Sequence, residues 1–110
     1  MTIRVHNILG GVSGTLGSEE FLTLLASEAV RIERIVSHAA SSPEGFWYDQ
    51  PETEWVMLMR GHAVLEFEDG QRTEMKEGDY LTIPPHARHR VHQTGPETIW
   101  LAVHLKEMGS

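Results

Sequence analysis

From Val30 onward, apolar positions recur with a period of two. Val30, Ile32 and Val36 share one parity, with Ile35 alone on the other. Trp55, Val56, Met57, Leu58 and Met59 form a run apolar on both faces, the pattern of a strand covered from both sides. His62 to Glu68 alternates, with Ala63, Leu65 and Phe67 one way and His62, Glu66 and Glu68 the other. Asp69-Gly70 is a hairpin turn signal, and Arg72 to Lys76 makes the return strand. Glu77-Gly78-Asp79 turns the chain into Tyr80 to Ile83, which Pro84-Pro85 stops. Arg88 to Gln93 alternates again, Gly95-Pro96 turns, and Thr98 to Leu105 closes the run. About eight short strands at spacings near ten residues predict an all-β jelly roll or antiparallel barrel.

The first residues follow another pattern. Gly10, Gly11, Gly14 and Gly17 predict a flexible lead-in over residues 1–17. Ser18 is a candidate N-cap, Glu19 and Glu20 suit a helix dipole, and Phe21, Leu22, Leu24 and Leu25 follow. A short N-terminal helix is therefore expected over about Ser18 to Ser27. Residues 18–110 are expected to form one domain with it, since nothing in the sequence divides them.

Composition narrows the partners. Nine basic against 16 acidic residues give a formal net charge of −7, which disfavours nucleic acid and anionic membrane surfaces. There is no cysteine, hence neither a disulfide nor a thiolate metal site. The polar start Met1-Thr2-Ile3-Arg4-Val5-His6 has no signal-peptide pattern, so a soluble cytoplasmic protein binding a small molecule is the expectation.

Parity nominates the interior polar groups. Arg88, Arg90 and His92 share one face, and two arginines are not buried without partners. His89, with Val91, is therefore expected to face the barrel interior. Glu54 falls in with Val56 and Leu58, and Tyr48 and Gln50 share a side. A buried carboxylate facing a histidine needs a counter-charge, and a divalent transition metal (Zn, Fe, Mn or Ni) suits both ligand types. A metal-free, hydrogen-bonded Glu54–His89 pair is the alternative. His38 and His104 lie on apolar strand faces and are second-rank inward candidates. Arg34, on the Val30–Val36 face, is expected either to pair with an acid inside or to bind a substrate carboxylate.

The segment from Gly78 through Ile83-Pro84-Pro85-His86 to His89 and Val91 resembles the second conserved motif of the cupins, and Tyr48 to Gly61 resembles the first. The likeness extends over about Ile32 to His104. It implies a double-stranded β-helix, commonly homodimeric, holding a divalent metal through two histidines and a glutamate of motif one and a histidine of motif two. Carried over, Glu54 matches the glutamate ligand and His89 the motif-two histidine. Tyr48 and Gln50 stand where the motif-one histidines would be, Gln50 with an amide oxygen to offer the metal. His86 stands where motif two usually has glycine. The expected metal set is thus Gln50, Glu54 and His89, with Tyr48, His86 and His104 as proton-moving candidates. Isomerase, lyase and dioxygenase chemistry all occur on such barrels, and a non-catalytic ligand-binding or sensor barrel is the other reading.

Overall fold

A computed structural model describes residues 1–106; residues 107–110, grouped with the barrel from sequence, lie outside the described residues. Eight strands are present: β1 (Glu19–Ala26), β2 (Val30–Ser37), β3 (Thr53–Arg60), β4 (His62–Phe67), β5 (Arg72–Lys76), β6 (Tyr80–Ile83), β7 (His89–Thr94) and β8 (Thr98–Leu105). They form a five-stranded sheet in the order β1-β2-β8-β3-β6 and a three-stranded sheet in the order β5-β4-β7. Every pairing is antiparallel. The inward side chains of the two sheets meet in a core that includes Val56, Leu58, Leu65, Met75, Ile83 and Trp100. No helix of the described residues is long and apolar enough to cross a membrane.

The expected N-terminal helix is absent, and its residues are strand β1. Pairing with β2 runs from Glu19↔Ser37 to Ala26↔Arg31, with a register shift between Thr23 and Leu25. That bulge explains the misleading pattern. An extra residue in a strand breaks strict alternation, so Phe21, Leu22, Leu24 and Leu25 acquire helix-like spacing without being helical. The backbone bonds offered by β2 outweigh the weak local preference for a helix.

The lead-in is also more ordered than its glycines suggest. Arg34, buried on β2, donates from Nη1 to the carbonyls of Gly10 at 2.5 Å and Ile8 at 3.3 Å. His38 Nε2 donates to the Ser13 carbonyl at 3.1 Å. A Cβ on Gly14 would stand 2.5 Å from His38 Nε2, at a φ of +147°. This glycine is there because backbone must pass directly over an imidazole. Arg31, Glu33 and Ile35 line the interior, so Arg34 and His38 lie on the opposite face, beneath the lead-in. Neither expectation for Arg34 holds, and His38 does not face inward.

The arginine face expected to be wet is instead largely covered at Arg90, whose side chain is 15% exposed, and both arginines are partnered. Arg90 meets Glu66 at 3.0 Å and the Ser42 carbonyl at 2.7 Å, and Arg88 pairs with Glu68. Both guanidiniums lie over the Trp47 ring, at 6.0 and 5.9 Å from its centroid.

Candidate functional site

A cavity of about 270 Å³ opens between the sheets, with an apolar floor of Val56, Leu65, Ile83, Val91 and Trp100. Five of the six residues singled out from sequence bear on this geometry directly. Glu54, His89, Gln50, Tyr48 and His104 all line the cavity, while His86 does not.

Strand β7 aims His89 inward, and the Ala87 carbonyl accepts a 2.9 Å hydrogen bond from its Nδ1. A carbonyl can only accept, so Nδ1 carries a proton and Nε2 is the ring nitrogen turned to the cavity. Glu54 Oε1 lies 3.7 Å from that nitrogen, with both side chains buried. This separation is too long for a hydrogen bond. Gln50 Nε2 donates to the same carboxylate oxygen at 2.8 Å, so here it is the amide nitrogen, not the oxygen, that faces Glu54.

Tyr48 enters through backbone pairing of the two motif segments. Tyr48 N donates to the His89 carbonyl at 2.7 Å, and His86 N donates to the Gln50 carbonyl at 2.8 Å. The Tyr48 ring stacks on His89, with centroids 5.4 Å apart. Burial first, then the charges of Glu19 and Glu54, a hydrogen bond toward Glu19 and the charge of Glu33, push its phenol up to about 12. Tyr48 therefore stays protonated at neutral pH.

His104 stands directly across from Glu54 in the β3–β8 register, but its Nε2 donates to Glu33 Oε1 at 2.9 Å. His104 Nδ1 is buried and has no partner among the described residues. His86 is outside, with its side chain 67% exposed and its Nδ1 donating to Asp49 at 2.7 Å. Its φ is +61°, the left-handed conformation that glycine adopts freely, at the position where motif two usually carries glycine. Together with the bond from its backbone N–H to Gln50, the Asp49 contact makes His86 a clasp between the two motif segments.

Sequence parity missed Glu19, Glu33 and Arg31, all of which line the cavity. Glu33 and Arg31 share the parity of Ile35, the one apolar residue on that side of β2, and that isolated isoleucine was the available signal. Glu19 was hidden inside the expected helix. Its carboxylate accepts from the Ser37 hydroxyl at 2.7 Å, which in turn accepts from the Trp100 indole N–H at 3.2 Å.

The donor set can be weighed against the metal that the motifs imply. An imidazole lone pair and a carboxylate oxygen facing each other are two acceptors, and a cation between them satisfies both. In this respect Glu54 and His89 fit. Among the described residues no group of three or more His, Cys, Asp or Glu side chains could hold a metal ion. The remaining positions on a cation would fall to the Gln50 amide oxygen, water or a bound molecule.

Comparison with known proteins agrees with this architecture. A family model described as the cupin domain matches residues 31–104. A solved Ralstonia eutropha JMP134 protein, provisionally named a mannose-6-phosphate isomerase, is 41% identical with a TM-score of 0.89. The match covers 96% of this chain and 100% of that one. A cupin superfamily protein from Desulfitobacterium hafniense shares the fold at a TM-score of 0.75 and 18% identity, over 87% of this chain and 84% of that one. The 3-hydroxyanthranilate 3,4-dioxygenase of Burkholderia cenocepacia is 44% identical over 46 residues, 39% of this chain and 26% of the dioxygenase. The enzyme of the same name from Paraburkholderia phytofirmans is 33% identical over 60 residues, 52% of this chain and 34% of that enzyme. The chain thus spans about a quarter to a third of the length of these curated relatives. With matching motifs, a matching barrel and a family model over most of its length, the chain belongs to the cupin domain family.

Proposed function

We propose that this protein is a cupin enzyme that binds a divalent transition metal between Glu54 and His89 and acts on a small molecule held in the barrel cavity. The observation that carries this reading is the buried pair of potential ligand atoms, His89 Nε2 and Glu54 Oε1, facing each other at 3.7 Å. When bound, such a metal supplies Lewis acidity toward a coordinated oxygen of the substrate. The chain's own residues prepare the site. The Ala87 carbonyl fixes the His89 tautomer, and Gln50 holds the Glu54 carboxylate in place. Tyr48 keeps its proton and serves as a donor beside the reacting atoms. His104 donates from Nε2 to Glu33 at 2.9 Å, and the couple is placed to relay a proton. The apolar floor keeps bulk water from the bound molecule. The isomerase and dioxygenase names of the similar proteins support small-molecule chemistry, with isomerase, lyase and dioxygenase reactions all compatible with the site.

A second reading, a metal-free ligand-binding barrel, is favoured by one contact: the Gln50 amide already partners Glu54. Both readings include a homodimer. β1 is an edge strand with unpaired backbone groups along one side, and Leu22, Leu24 and Leu25 are exposed on it. A second copy of the chain, laid against that edge, is the occupant that fits.

Elemental analysis of untagged protein purified without chelator tests the metal. Near-stoichiometric transition metal that is lost in His89→Ala is the expected result. Metal retained in the variant would overturn the assignment of His89, and metal absent from both proteins would transfer the weight to the ligand-binding barrel.

A further inference from the structure

Several hydrogen-bond donors of the cavity wall are directed at the wall's own acceptors. Glu19, Glu33 and Glu54 all line it, and Arg31 is the only lysine or arginine among its lining residues. That guanidinium is already engaged, 3.7 Å from Glu33 and 3.4 Å from Glu52. The other donors are likewise committed: Ser37 to Glu19, His104 Nε2 to Glu33, Gln50 to Glu54, and His89 Nδ1 to the Ala87 carbonyl. In each of those glutamates the hydrogen bond falls on one oxygen, and a carboxylate offers about four lone-pair sites. His104 adds a further unsatisfied polar atom, since its Nδ1 is buried without a partner among the described residues while Nε2 donates to Glu33.

The consequence is a matter of charge. An anion seated against Glu19 and Glu33 would meet two carboxylates in a poorly hydrated space, where the Arg31 guanidinium already faces Glu33 and Glu52. A hydrogen-bond donor carrying positive charge would meet acceptors waiting for it. Beside the polar groups, Phe21, Ile35, Val56, Leu65 and Trp100 give the ligand an apolar bed. The volume, about 270 Å³, is just below the roughly 300 Å³ at which pockets for drug-sized ligands begin, so the occupant is small.

We propose that the cavity selects a small molecule with an apolar body and a protonated amine head, the ammonium seated against Glu19 and Glu33, and that it rejects carboxylates and phosphate esters. The proposal rests on the reading that the barrel interior is the ligand site, and it uses neither Glu54 nor His89 as the recognising group. It sets this chain apart from the substrates in its relatives' names, since 3-hydroxyanthranilate carries a carboxylate and mannose 6-phosphate a phosphate.

Calorimetric titration of the untagged full chain with benzylamine, benzyl alcohol, benzoate and mannose 6-phosphate tests it, with metal content assayed on the same sample. Benzylamine should bind about tenfold more tightly than benzyl alcohol, the difference between a charge-assisted and a neutral hydrogen bond. Glu19→Gln and Glu33→Gln should each erode that preference while leaving benzyl alcohol unaffected, which also shows that the variants are folded. Three results would overturn the proposal: benzoate or mannose 6-phosphate binding as well as benzylamine, an amine preference that survives both substitutions, or no binding of benzylamine. Metal uptake without amine preference defeats this inference alone, and amine preference without metal uptake defeats the metal assignment alone.

Discussion

Tyr48 concentrates the electrostatics of the cavity in one side chain. Its phenol is pushed up to about 12, from an ordinary value of 10.0, by burial and by the neighbouring carboxylates. The folded state therefore holds this proton more tightly than the unfolded chain does. Its contribution to stability is fully present below pH 10 and is lost as the pH rises toward 12. Subtracting the phenolate absorbance of Tyr48→Phe from that of the wild type should leave a titration centred near pH 12. A midpoint near 10 would mean that the ring is open to water. At this scale the site was only half legible in the sequence. Glu54 and His89 could be placed because each shares parity with apolar neighbours that must be buried. Glu33 and Arg31 could not, because their face of β2 shows a single isoleucine amid charge, and a polar cavity wall has the same pattern as a solvated surface.

Elements add what residues cannot. β1 walls the cavity with Glu19 and Phe21 on one face, while Leu22 and Leu25, opposite Arg34 and Ile32 in the register, lie on the other. If that edge joins two copies, the double variant Leu22→Lys, Leu25→Lys should sediment as a monomer with its barrel intact, and the wild type as a dimer. A monomeric wild type would refute the homodimer. Lysines on an edge strand are an effective block to such pairing, and neither substitution touches the cavity. This element is also where sequence reasoning failed. The bulge at Leu24 scrambled the alternation, and nothing local to Ser18–Ala26 reveals that β2 lies alongside. The strands β3 to β8 were legible because turn residues punctuate them, from Asp69-Gly70 to Gly95-Pro96.

For the whole molecule, stability comes from the layer between the sheets. Leu58 is fully buried there on β3. Leu58→Ala should cost about 2–5 kcal/mol in urea unfolding, with the slope of the transition unchanged. A loss below about 1 kcal/mol would show that the layer repacks readily. The class of the fold was legible from strand count and turns, but the order of strands was not. Val30 pairs with Leu105, and Glu54 pairs with His104, across separations that no local pattern encodes. That order has a consequence for how the protein is made. β8, the last of the described strands, occupies the centre of the five-stranded sheet, between β2 and β3. During synthesis the β1–β2 hairpin and the β3–β6 pair therefore emerge with nothing to join them, and their apolar faces wait uncovered until the final strand leaves the ribosome. His104 arrives on that same strand, so the cavity acquires its last wall and the barrel its keystone in a single step.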